Sequence, residues 1–104
     1  MGKVHYKFIY NTEIDFPESI EFDGIKADID SDNDDNYTIE GDVDGVALDD
    51  QSQLPVFVSG SGRTGRSWEL EVTFNTKKLK KYPISGIVEE NGFYTLNEKY
   101  KLQA

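Results

Sequence analysis

The chain has no cysteine, one histidine, one methionine, one tryptophan and three prolines in 104 residues. Without thiols it can build neither a disulfide framework nor a thiolate metal cage, which agrees with a reducing compartment. A metal hydrolase draws on several His or Cys ligands, and this sequence offers His5 alone. Ser/His/Asp chemistry would have that one base and no nucleophile-elbow pattern. With 20 acids some pair of carboxylates always lies close, so proximity by itself is no sign of acid–base catalysis. The chain therefore reads as a non-enzyme. Long apolar runs are also missing, which excludes a membrane-spanning helix and a membrane partner. The opening Met1-Gly2-Lys3-Val4 has no signal-peptide core, and Tyr6 stands where myristoylation favours Ser or Thr, so the expected location is cytoplasmic.

Basic residues are scarce in one stretch. Residues 13–50 hold fifteen acids and a single base, Lys26, whereas residues 51–104 hold eight bases and five acids. The net charge of −9 argues against direct binding of nucleic acid, and its lopsided placement argues for a partner of opposite charge.

Helical periodicity is absent, and the apolar period is two. Val4, Tyr6, Phe8 and Tyr10 share one face; Trp68, Leu70, Val72 and Phe74 share another; Ile25, Ala27 and Ile29, then Tyr37, Ile39 and Val43, then Leu54, Val56 and Val58 make further stripes. Turn chemistry can be tested against these faces, because opposed residues of a hairpin point the same way. A two-residue turn at Asp23-Gly24 sets Phe22 against Ile25 and Glu21 against Lys26. A similar turn at Asp44-Gly45 sets Val43 against Val46 and Gly41 against Leu48. At Asn91-Gly92 the faces agree only with a three-residue loop, Glu90-Asn91-Gly92, ending in a glycine bulge. Glu98 falls on an otherwise apolar side between Leu96 and Tyr100.

The reading is a single all-β domain over residues 1–104. It has strands near 3–10, 18–22, 25–30, 36–43, 46–49, 54–59, 67–75, 83–90 and 93–102. These form an antiparallel meander of about eight or nine strands, closing as a small β-barrel or a two-sheet β-sandwich.

Asp28, Asp30, Asp32 and Asp34 alternate like the start of an EF-hand-type loop and make Ca²⁺ the one cofactor the spacing suggests. Counting from Asp28, the sixth position is Asn33 rather than Gly and the twelfth is Ile39 rather than Glu, so the match is incomplete. Gly60-Ser61-Gly62-Arg63-Thr64-Gly65 spells G-x-G-x-x-G, but a strand rather than a helix follows it. It reads as a hairpin loop whose Arg63 and Arg66 hold an anion or pair with the acidic half. Lys77-Lys78-Leu79-Lys80-Lys81 reads as solvated loop lysines, and Asn36-Tyr37-Thr38 is a glycosylation sequon, meaningful only on a secreted chain.

Val4-His5-Tyr6-Lys7-Phe8 followed by Phe22-Asp23-Gly24 is similar to the opening hairpin of the ubiquitin-like DWNN domain. That fold requires a helix right after the hairpin, where this chain has the Asp-rich stretch and another strand. No function is carried over.

Among functions, the leading expectation is a non-catalytic binding or inhibitory protein. It would present Asp28, Asp30, Asp32, Asp34, Asp35, Asp42, Asp44, Asp49 and Asp50 to a basic protein such as a nuclease, a toxin or a nucleic-acid-binding protein, the last amounting to nucleic-acid mimicry. The alternatives are a small-molecule carrier with a barrel interior lined by Tyr6, Phe8, Trp68 and Phe74, and a Ca²⁺-stabilised structural or adhesion module.

Overall fold

The computed structural model describes residues 1–29 and 37–104. Among them are nine strands and no helix: β1 (Gly2–Ile9), β2 (Ser19–Phe22), β3 (Ile25–Lys26), β4 (Thr38–Val46), β5 (Gln53–Ser61), β6 (Ser67–Phe74), β7 (Lys77–Lys78), β8 (Ile84–Ile87) and β9 (Phe93–Lys101). All ladders are antiparallel. One sheet runs β4-β1-β6-β7 with β8 also on β6, and the other runs β3-β2-β5-β9. The chain is all-β as expected, but the barrel alternative is corrected. Among the described residues the two sheets do not close on one another, and an isolated bridge between Leu79 and Leu102 stitches the end of β7 to the end of β9.

Period-two patterning determines which faces meet. Val4, Tyr6 and Phe8 of β1, Trp68, Leu70 and Val72 of β6, and Leu54, Val56 and Val58 of β5 are buried between the sheets. Burying each large apolar side chain contributes roughly 1.5–3 kcal/mol. Phe8 lies at the centre of an aromatic cluster, with ring centroids 5.7 Å from Trp68, 5.6 Å from Tyr10 and 6.4 Å from Tyr94. Tyr6, Phe8, Trp68 and Phe74, the expected lining of a carrier's pocket, are therefore packed core.

Connectivity departs from a simple meander. The Asp23-Gly24 turn forms as read: both residues have positive φ, and Glu21 pairs with Lys26 and Phe22 with Ile25. The Glu90-Asn91-Gly92 loop also closes, but not as a hairpin of paired strands: β8 pairs with β6 and β9 with β5, in different sheets. The Gly92 N–H donates to Glu89 O at 2.9 Å, the Glu89 N–H donates to Phe93 O at 2.9 Å, and Gly92 takes φ 83°. Asp44-Gly45, in contrast, does not turn the chain. Residues 38–46 are one continuous strand, with Val43 opposite Val4 and Val46 opposite Gly2. The ladder slips by one residue at this point, and of the pair only Gly45 has positive φ (74°). A bulge inserts one extra residue and shifts the pleat by one. That is why Val43 and Val46, three apart, can face the same core. The same spacing fits a two-residue hairpin, and the long partner strand β1 decides between them.

Candidate functional site

The acids named from sequence fall into separate environments. On the outer face of β1, Lys3, His5 and Lys7 form a basic column beside β4. His5 opposes Asp42 and Lys7 opposes Glu40, while across β6 Lys7 opposes Glu71. His5 Nδ1 is 2.8 Å from Asp42 Oδ1, and His5 Nε2 is 2.8 Å from Glu40 Oε2. Carboxylates only accept hydrogen bonds, so both nitrogens donate when the ring is the imidazolium. The bonds to Asp42 and Glu40 accordingly raise the His5 pKa against the opposing effect of burial. Lys3 Nζ is 3.9 Å from Asp44 Oδ1. Asp42 and Asp44 thus already have counter-charges within the chain, and Glu40, not singled out from sequence, belongs with them. The imidazole stands between its two carboxylates, so the three groups do not converge on one point, and no metal-holding group of three occurs among the described residues.

Asp49 is a turn residue. Its Oδ1 accepts from the Gln51 and Gln53 N–H groups, both at 2.9 Å, and its Oδ2 lies 3.3 Å from Lys99 Nζ. The backbone N–H of Gln53 above all, with that of Gln51 and the Lys99 ammonium, holds its carboxyl below the usual range against the opposing effect of desolvation. Asp50 is exposed at the tip of the same loop.

The β2–β3 hairpin differs. Glu18, Asp23 and Asp28 take part in no ion pair among the described residues, and Asp23 and Asp28 are exposed. Two open clefts flank the hairpin. One, of about 470 Å³, is lined by Phe16, Pro17, Glu18, Lys26, Ala27, Asp28 and Ile29. The other, of about 300 Å³, is lined by Glu21, Asp23, Gly24, Pro55, Val56, Phe57 and Asn97. Asp30, Asp32, Asp34 and Asp35, with the sequon residue Asn36, lie outside the described residues. Of the four expected Ca²⁺ ligands, only Asp28 is described.

The G-x-G-x-x-G segment completes an internal latch. Arg63 Nη1 is 3.2 Å from Glu13 Oε1, Arg66 Nε pairs with Glu13 Oε2, and the Arg63 N–H donates to Glu13 O at 2.8 Å. This is the pairing with the acidic half that the sequence allowed. In the lysine run, Lys77 and Lys78 form β7, Leu79 is fully buried, and Lys78 Nζ sits 4.7 Å from the Tyr82 ring centroid. The lysines are exposed as read, but Lys77 and Lys78 lie in a strand rather than a loop and Leu79 belongs to the core. Glu98 is exposed on β9 opposite Val56.

No protein-family model, curated protein or solved structure matches the chain.

Proposed function

We propose that the protein is a non-catalytic binding module that holds a basic surface of another protein. The face we assign to that contact is centred on the β2–β3 hairpin, and the acidic residues that follow it in sequence, up to Asp35, are assigned to the same contact. One observation carries the reading. Asp42, Asp44 and Asp49 form ion pairs within the chain, while Glu18, Asp23 and Asp28 form none among the described residues. Unneutralised carboxylates projecting a common field steer a cationic partner and discriminate against acidic ones. Phe16, Pro17 and Ile29 in the larger cleft add apolar contact beside the charge. A basic surface built for nucleic acid is the sort of partner this face suits.

The test is fluorescence anisotropy with a labelled decapeptide of alternating arginine and glycine, titrated with the full chain across a NaCl series. Affinity falls steeply with salt, as screened charge contacts require. Replacing Asp28, Asp30, Asp32, Asp34 and Asp35 together by Asn removes binding, whereas Asp42→Asn with Asp44→Asn keeps most of it. Binding unchanged by the fivefold replacement overturns the proposal.

A further inference from the structure

Phe57 is a half-buried aromatic on the solvent side of β5, where its ring serves no purpose in the core. Its cross-strand neighbours are Glu21 on β2 and Asn97 on β9. Together with Asp23 and Pro55 they line the cleft of about 300 Å³. That volume is at the small end of ligand cavities and suits one side chain. Its chemistry is selective: an aromatic face, two carboxylates and one amide. A ring face attracts a cation, a carboxylate supplies the counter-charge, and the amide oxygen accepts a further N–H. Glu21 Oε2 already accepts from Ser19 Oγ at 2.8 Å, which fixes that carboxylate and leaves its other oxygen free for a ligand. Of the nearby cations, Lys99 is paired with Asp49, and Lys26, opposite Glu21 across the hairpin, takes part in no ion pair among the described residues.

We propose that the Phe57 cleft receives a single arginine side chain of the partner, stacked on the ring between Glu21 and Asp23. This rests on the acidic-face reading above and adds to it the anchoring residue. Arginine is favoured over lysine because a planar guanidinium stacks on a ring while its edge donates to carboxylate and amide together.

The test titrates the isotope-labelled full chain with acetyl-Gly-Arg-Gly-amide and follows backbone amide shifts, with the glutamine analogue as control. The expected result is saturable millimolar binding with shifts centred on residues 21, 23, 57 and 97, and little response to the glutamine peptide. Phe57→Ala weakens the arginine peptide about three-fold, the size of an exposed cation–π contact. Glu21→Gln with Asp23→Asn, which leaves the ring in place, weakens it as well. Equal response to both peptides, or unchanged affinity in both variants, overturns the assignment. The decapeptide separates the two proposals. If it still depends on Asp28–Asp35 while Phe57→Ala has no effect on either peptide, the cleft fails and the acidic face stands. If the reverse holds, the cleft stands and the Asp-rich stretch does not.

Discussion

Trp68 on β6 stands directly opposite Gly86 on β8, and a Cβ at Gly86 would lie 2.5 Å from Trp68 Cζ2. The indole therefore occupies the space a side chain at residue 86 would need. Two other ladders repeat the device: Tyr6 opposes Gly41, and Tyr94 opposes Gly60. An aromatic laid over a cross-strand glycine covers backbone that the glycine leaves bare and pins the register.

Gly86→Ala is expected to destabilise the fold by about 1–3 kcal/mol, because the ring must leave its site in a packed interior. Trp68 is the only tryptophan, so its emission reports the change directly. A denaturant midpoint equal to the parent's, with unshifted emission, contradicts the close approach.

His5 gives a dependence on pH. Its folded-state pKa is raised above the ordinary 6.5 by Asp42 and Glu40. The stability it contributes is therefore complete below about pH 6.5 and lost as pH rises through the raised value. The ring is 46% exposed, so solvent screening limits the effect to about half a kcal/mol. NMR titration should place the His5 pKa above 6.5, and His5→Gln should flatten the decline in stability on the alkaline side.

Asp49 acts in the opposite direction. With its pKa lowered from the ordinary 3.8, its contribution is present above that value and disappears as pH falls through the folded-state pKa. Asp49→Ala is expected to lower the melting temperature at neutral pH and to make little difference at pH 2. Asp50→Ala, at the exposed tip of the same loop, should leave both melts where they were.

Tyr94 is 2% exposed, yet its hydroxyl has no hydrogen-bond partner among the described residues. Burial, together with the charges of Asp15 and Glu18, pushes its pKa far up, so the phenol stays protonated. An unpaired buried hydroxyl costs about 1–3 kcal/mol in lost hydration. Tyr94→Phe should leave stability unchanged or increase it, as read from urea denaturation. A loss above about 1 kcal/mol would mean that the hydroxyl is satisfied.

Thermal unfolding in EDTA, then millimolar Ca²⁺, then Mg²⁺ separates charge surface from metal site. The acidic-face reading expects small, equal rises with the two ions. A rise of several degrees specific to Ca²⁺, the signature of a ligand bound only to the folded chain, would reassign Asp28, Asp30, Asp32 and Asp34 as ligands.

What the sequence made legible was local. Alternation located the strand cores, and the Asp23-Gly24 turn could be derived because opposed faces had to agree; the Glu90-Asn91-Gly92 loop formed for a different reason, since the strands it joins lie in different sheets. The strand β7 was not legible. Its turn is Asn75-Thr76, both at positive φ, where a threonine gives no turn signal of the kind glycine gives. Leu79 among lysines was the one clue that this run meets the core. The His5 pair with Asp42 and Glu40 was hidden for another reason. It exists because β1 pairs with β4, a ladder closed over more than thirty residues, and period-two patterning carries no information about which strands become neighbours. The Phe57 cleft depends likewise on β2 meeting β5.

The slip at Asp44-Gly45 also bears on self-association. An exposed strand edge is a template on which a second chain can add. Among the described residues β4 is such an edge, and its bulge increases the local twist just where a flat incoming strand would have to align. Glu40, Asp42 and Asp44 line the same strand, so two copies meeting there would bring rows of like charge together. The extra residue that keeps Val46 in the core thus also makes this edge a poorer template for a second copy.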